Sequence, residues 1–101
     1  MTSRHLRKST NTAISAAGTV LSANEARSNY FIQNCGTNPL FVKEGANAST
    51  SDYTFILAAG TVNDNGTGGS KSSEAEGCWT GVISVAGTTP RGMITERLEN
   101  I

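Results

Sequence analysis

Large apolar residues occur in short runs along this chain, and small polar residues and glycines separate the runs. The densest apolar stretch, SNYFIQNCGTNPLFVKEG, covers residues 28–45. Apolar and polar positions alternate on both sides of its Asn38-Pro39 pair, and alternation with a period of two is typical of β-strands. A five-residue loop that contains glycine and proline can join two antiparallel strands. We therefore predict a β-hairpin over these residues.

The same combination of short apolar runs and turn residues recurs along most of the chain. No segment shows the apolar spacing of an amphipathic helix, and turn residues return about every ten positions. This pattern predicts an all-β fold, either an antiparallel β-sandwich or a jelly-roll-like barrel, with about seven short strands. Besides the hairpin, the predicted strands cover residues 12–15, 19–22, 53–58, 79–87 and 93–98.

The first eleven residues, MTSRHLRKSTN, lack the side chains that could build a core. They contain three of the eight basic residues of the chain, and Leu6 is their only sizeable aliphatic side chain after the first residue. A segment of this composition cannot offset the entropy of ordering itself by burying apolar surface. We predict a flexible basic arm over residues 1–11 and a single β-sandwich domain over residues 12–101.

A second polar segment, NDNGTGGSKSSEAEG, covers residues 63–77 and contains no large apolar side chain. It predicts a long exposed loop, from which residues 66–73 could be removed at a cost under about 1 kcal/mol. The run NGTGGSKS within it is superficially similar to a phosphate-binding loop. That motif requires glycine directly before its lysine, whereas Ser70 precedes Lys71 here. We therefore expect no nucleotide and no other cofactor.

Net charge and the length of the apolar runs argue against two classes of partner, nucleic acid and membranes. Eight basic and eight acidic side chains give a formal net charge of zero, whereas binding to nucleic acid requires a surplus of basic residues on one surface. The longest apolar runs are far shorter than the roughly 20 residues that cross a bilayer. The sequence therefore predicts a soluble protein that binds neither nucleic acid nor membranes.

Candidate catalytic groups are equally sparse. The only histidine, His5, lies in the predicted arm, so no nucleophile in the core has a partner base. The carboxylates show no patterned spacing, and Cys35 and Cys78 with one histidine are too few for a structural zinc site. We expect a protein that is not an enzyme and has no metal. The two cysteines are expected to be reduced if assembly takes place in a reducing cytoplasm, although a disulfide between them stays open.

The aromatic pair Tyr30 and Phe31 indicates a surface for a partner. Adjacent side chains of a strand point to opposite faces, so both rings cannot enter one core. One of them either lies under a loop or faces another protein. Together with the basic arm, this reasoning selects the candidate partner-binding residues Arg4, Leu6, Arg7, Lys8, Tyr30 and Phe31.

The order of the strand and turn segments has a recognisable pattern over residues 18–98. The chain reads GTVLSANEARSNYFIQNCGTNPLFVKEGANAST, then FILAAGTV, then WTGVISVAGTTPRGMITERL. This order resembles small β-sandwich proteins of tailed bacteriophage virions, in which an "fIQN.GtnPlyVk.G" segment precedes an "aG" strand end, a "W.G.isvAgt" strand and a final "r.mvTE" strand.

The resemblance implies a structural role without catalytic residues. It implies a component of the virion that is made in the host cytoplasm, most simply a capsid decoration or cement protein. Its expected partners are the major capsid protein or other virion proteins, and copies of itself in a homo-oligomer. Within the same class, the chain could be a neck, tail or head-fibre accessory protein. A carbohydrate-binding tip module is the alternative from another class, because exposed aromatic rings on a β-sandwich can stack on sugars.

Overall fold

The computed structural model of the protein describes residues 7–73 and 77–99. Within these ranges the chain forms eight β-strands and no helix. Three of the strands are eight residues long, and the others contain three to five residues. The strands are β1 (Arg7–Ile14), β2 (Gly18–Leu21), β3 (Arg27–Asn34), β4 (Leu40–Glu44), β5 (Phe55–Leu57), β6 (Ser70–Ser72), β7 (Ile83–Ala86) and β8 (Gly92–Glu99).

The strands form two four-stranded antiparallel sheets that pack face to face as a sandwich. The long sheet, which contains the three eight-residue strands, has the order β1-β8-β3-β6, and the short sheet has the order β2-β7-β4-β5. Among the described residues, both sheets have open edges, so the fold is a sandwich and not a closed barrel. This architecture confirms the predicted all-β sandwich, with eight strands where about seven were expected.

The core lies between the two sheets and follows the alternation of the strands. Tyr30, Ile32 and Asn34 of β3 point inward, and so do Leu40 and Val42 of β4. All four residues of β7 are buried, because this strand lies in the middle of the short sheet and is covered on both faces. The packed core consists of Ile14, Leu21, Tyr30, Ile32, Leu40, Val42, Leu57, Ile83, Val85 and Ile94.

The predicted hairpin over residues 28–45 is wrong in its pairing, although both of its strands exist. β3 pairs with β8 and β6 in the long sheet, whereas β4 pairs with β5 and β7 in the short sheet. The connection between them therefore crosses from one sheet to the other. Asn34 holds this crossing, because its amide nitrogen donates to the carbonyl oxygens of Asn38 and Ala58 at 2.8 and 3.1 Å and its oxygen accepts from the Gly36 amide at 2.9 Å.

The predicted arm extends too far into the chain. Residues 7–11 belong to β1 and pair in regular register with residues 95–99 of β8. Backbone hydrogen bonds to an existing strand can order a polar segment that has no apolar side chains to bury. Residues 1–6, the remainder of the predicted arm, lie outside the described residues.

The predicted exposed loop over residues 63–77 is also packed in part. Its residues 70–72 form β6, the edge strand of the long sheet, which pairs with residues 31–33. Glycines allow the segment to approach the sandwich closely, since a Cβ atom at Gly68 would collide with the backbone oxygen of Asn34. The amide of Gly69 donates to the Ala58 carbonyl oxygen at 2.9 Å. Removal of residues 66–73 would therefore delete a strand, contrary to the expectation that it would cost little.

A buried arginine joins the loops at one end of the sandwich. The side chain of Arg27 is fully buried, and its Nε lies 2.8 Å from Oε2 of Glu96. Its terminal nitrogens donate to the carbonyl oxygens of Ser22 at 2.7 Å and of Trp79 and Gly81 at 2.9 Å each. Arg27 points inward because a bulge shifts the register of β3 between Arg27 and Asn29.

Candidate interaction surface

The two adjacent aromatic residues of β3 face opposite sides of the long sheet, as the alternation required. Tyr30 is 2% exposed and points into the core, where its hydroxyl donates to Oε2 of Glu44 at 2.7 Å. Burial, and then the hydrogen bond to Glu44, raise the pKa of Tyr30 well above its ordinary value. Phe31 is 40% exposed on the outer face. Of this candidate pair, only Phe31 is therefore available to a partner.

Phe31 lies at the centre of a mixed apolar and polar surface. Thr95 of β8 is directly opposite Phe31, and Met93, which is 40% exposed, occupies the diagonal position beside it. A shallow depression of about 260 Å³ next to the ring is lined by Asn29, Phe31, Ser72, Thr95 and Arg97. We call Asn29, Phe31, Met93, Thr95 and Arg97 the Phe31 surface. It offers apolar contact area, hydrogen-bonding side chains and one positive charge.

The candidate residues of the N-terminal segment lie beside this surface or outside the described residues. Arg4 and Leu6 are outside the described residues. Arg7 and Lys8 begin β1, both side chains are exposed, and Arg7 Nε lies 3.2 Å from Oε1 of Glu99. Both line a depression of about 580 Å³ that also includes Asn29 and Arg97 of the Phe31 surface. The structure thus places Arg7 and Lys8 at the same end of the long sheet as part of the Phe31 surface.

The outer face of the short sheet carries a second apolar cluster. Ile56 is 46% exposed and lies opposite Phe41, and Tyr53 is 42% exposed. The rings of Phe41 and Tyr53 meet edge to face, with 5.2 Å between their centroids. The segment around Ala48 covers part of this sheet. Ser84 is fully buried there, and its hydroxyl accepts a hydrogen bond from the Ala48 amide at 3.0 Å.

An exposed ion pair between Arg91 and Asp64 lies at the far end of the sandwich. Arg91 donates to the Asp64 carboxylate with two nitrogens: Nη2 binds Oδ2, and Nε binds Oδ1 at 3.0 Å. The hydrogen bond from Arg91 lowers the pKa of Asp64, and the same bond raises the pKa of Arg91. The backbone amide of Asp64 donates to the Cys35 carbonyl oxygen at 2.8 Å. Asp64 therefore connects the start of the segment that leads to β6 with both Arg91 and the backbone of Cys35.

Groups that could carry other chemistry are not assembled in the described part of the chain. Residues 7–73 and 77–99 contain no cluster of three histidine, cysteine, aspartate or glutamate side chains that could hold a metal ion. Cys35 and Cys78 are both half-buried free thiols. Within the same ranges, no helix has the length and apolar content that a membrane span requires.

Comparisons with protein-family models, curated proteins and solved structures found no match to this chain. The surface must therefore be interpreted from its own residues. Sequence reasoning selected Phe31 but missed Met93, although alternation with the buried Ile94 places Met93 on the outer face. It also missed Ile56, the middle residue of the FIL strand. Alternation with the buried Leu57 places Ile56 on the outer face of the short sheet.

Proposed function

We propose that this protein is a structural component of a tailed bacteriophage virion, and specifically a capsid decoration or cement protein. The observation that carries the proposal is the order of the segments FIQNCGTNPLFVKEG, FILAAG, WTGVISVAGT and RGMITE, which resembles that of small virion β-sandwich proteins. In the structure these segments form strands of one sandwich.

The strand arrangement supports the same class of function by analogy of fold. Two sheets with the orders β1-β8-β3-β6 and β2-β7-β4-β5 follow the eight-stranded jelly-roll arrangement. Viral capsid domains use this arrangement, as do lectin domains and other unrelated proteins. A fold that many functions share cannot decide among them. The exposed side chains of the sandwich therefore carry the more specific part of the proposal.

The proposed mechanism is passive stabilisation through protein–protein contact. The sandwich docks on the major capsid protein with the Phe31 surface, and no chemical step takes place. Burying the remaining exposed 40% of Phe31 removes about 80 Å² of apolar area from water if the whole side chain offers about 200 Å². At about 25 cal/mol per Å², this area contributes about 2 kcal/mol to docking, or about a thirtyfold change in affinity.

A pair of matched variants tests the proposal. Phe31→Glu places a charge on the outer face of the long sheet, and Ile56→Glu does the same on the short sheet, where Ile56 is 46% exposed. Purified particles that lack the protein are mixed with each variant and sedimented. We expect Phe31→Glu to lose binding by about thirtyfold or more, and Ile56→Glu to bind as the original protein does. Equal binding by all three proteins would reject the Phe31 surface as the docking site.

A further inference from the structure

The four edge strands of the sandwich differ in how well they could accept another strand. Exposed sheet edges pair readily with other chains, and proteins limit this by short edge strands, bulges or charges. Here β5 and β6 have three residues each, and the four-residue β2 is interrupted by a register shift between Thr19 and Leu21. By contrast, β1 has eight residues in unbroken register with β8. Among the described strands, β1 is therefore the long, regular edge.

The hydrogen bonds of the long sheet show which backbone groups of β1 face outward. The amide of Tyr30 donates to Ser73 Oγ at 2.8 Å and its carbonyl oxygen accepts from the Ser73 amide at 2.9 Å, so the backbone of Tyr30 faces β6. Successive residues of a strand direct their backbone groups to opposite sides. Phe31 therefore faces β8, and Thr95, which is opposite Phe31, faces β3.

The same alternation of backbone directions can be followed across β8 to the edge strand β1. Glu96 follows Thr95 and faces β1, so its partner Thr10 directs its backbone groups to β8. The neighbours of Thr10 must face the other way. The backbone N–H and C=O groups that point away from the sheet are those of Arg7, Ser9, Asn11 and Ala13.

We propose that β1 pairs antiparallel with β1 of a second copy of this chain. In the register that uses all four outward-facing residues, Arg7 lies opposite Ala13 of the partner, Ser9 lies opposite Asn11, and Thr10 lies opposite Thr10. The arrangement is two-fold symmetric, as a self-complementary interface requires. The two sheets then form one continuous eight-stranded sheet.

The side chains of β1 favour its own copy as the occupant. Its two charged residues, Arg7 and Lys8, both lie at its first end, and the following residues 9–14 are uncharged. Antiparallel pairing therefore places Arg7 opposite Ala13 and Lys8 opposite Thr12, with no like charges facing each other. The central pair is Thr10 with Thr10, and paired threonines are favourable cross-strand neighbours. Residues 7–11 are also exposed in the described structure, so no rearrangement of the sandwich is needed.

The strand pairing describes how two copies of the proposed virion component contact each other, so it rests on the proposed function. Its test uses the purified protein alone, without particles. Failure of the strand pairing would therefore leave the particle-binding result with Phe31→Glu untouched, and a failure of particle binding would leave the strand pairing to be judged separately.

Disulfide trapping tests the register directly. In the proposed pairing the two Thr10 residues are a non-hydrogen-bonded pair with Cα atoms about 4.5 Å apart, within reach of a disulfide. The two Lys8 residues are four positions apart along the strands, or about 13 Å, which is too far. Under mild oxidation, Thr10→Cys should give a covalent dimer through the introduced thiols, identified by mass spectrometry, and Lys8→Cys should remain monomeric. Equal dimer formation by both variants, or none by Thr10→Cys, would overturn the proposal.

A second pair of variants tests the backbone contact. Proline at Ser9 removes an outward-facing N–H group without removing a bond to β8, whereas alanine at Ser9 keeps that group. In the Thr10→Cys background, Ser9→Pro should lose the covalent dimer and Ser9→Ala should retain it. Circular dichroism must show that both remain folded. A folded Ser9→Pro variant that still forms the covalent dimer would refute pairing through this edge.

Discussion

Replacement of Arg27 by methionine should destabilise the protein more than replacement of any exposed basic residue. The Arg27 side chain is fully buried and is hydrogen-bonded to the Glu96 carboxylate and to three backbone carbonyl oxygens. Methionine is similar in length but donates no hydrogen bond. Arg27→Met therefore leaves those acceptors unpaired and the Glu96 charge, 12% exposed, without its partner.

The expected cost follows from the burial of this ion pair. Removing one partner of a buried pair typically destabilises a protein by about 3–5 kcal/mol, because the remaining charge stays buried and uncompensated. The total stability of a domain of this size is about 5–15 kcal/mol. Arg27→Met should thus lose about a fifth or more of the free energy of unfolding. The loops that contain Ser22 and Gly81 should loosen with it, because Arg27 binds their carbonyl oxygens.

Urea denaturation at neutral pH, followed by tryptophan fluorescence, measures this cost. Arg7→Met is the matched control, since the Arg7–Glu99 pair is 76% and 36% exposed and should contribute less than about 1 kcal/mol. A double variant that adds Glu96→Gln to Arg27→Met should recover part of the loss, because it removes the stranded charge. If Arg27→Met and Arg7→Met have the same unfolding midpoint, Arg27 does not hold this end of the sandwich.

Two further predictions concern the core and the segment before β6. Because the pKa of Tyr30 is raised in the folded state, its contribution to stability is complete below about pH 10 and falls at higher pH, by up to about 1.4 kcal/mol per pH unit. Urea midpoints measured between pH 9 and 11 should therefore fall less steeply with pH in Tyr30→Phe than in the original protein. A Tyr53→Phe control, which keeps Tyr30, should fall as steeply as the original protein. If the midpoint of Tyr30→Phe fell with pH as steeply as that of the original protein, the prediction would be wrong. Gly68→Ala should cost about 1–3 kcal/mol, because its Cβ meets the Asn34 backbone, while Ser70→Ala on exposed β6 should cost under about 0.5 kcal/mol. Equal unfolding midpoints for these two variants would show that the segment is not packed.

The sequence predicted the fold class because alternation and turn residues are local signals. The inward and outward positions of β3 follow directly from the alternation around Tyr30 and Phe31. Alternation shows that a residue lies on one of two faces, but it does not show which strand lies beside it. Alternation therefore predicts one hairpin from β3 and β4, although Asn34 directs the chain from one sheet to the other.

The missed features depend on backbone contacts and on distant partners. β6 contains Ser70, Lys71 and Ser72, whose side chains give no apolar signal, and it exists because its backbone pairs with β3. Residues 7–11 likewise carry no apolar signal, so the sequence pattern predicts them as part of the arm. Arg27 gave no sign of burial in the sequence, since its partners Glu96 and Trp79 are far from it along the chain.

Electron cryomicroscopy of the purified virion would show directly whether this protein decorates the capsid. We predict density for an eight-stranded sandwich on the outside of the capsid, repeated with the lattice of the major capsid protein and contacting that protein through Phe31 and Met93. Density at one vertex would instead assign the protein to the neck or tail. Absence of the protein from the purified particle, checked by mass spectrometry of the same sample, would contradict the proposed virion role.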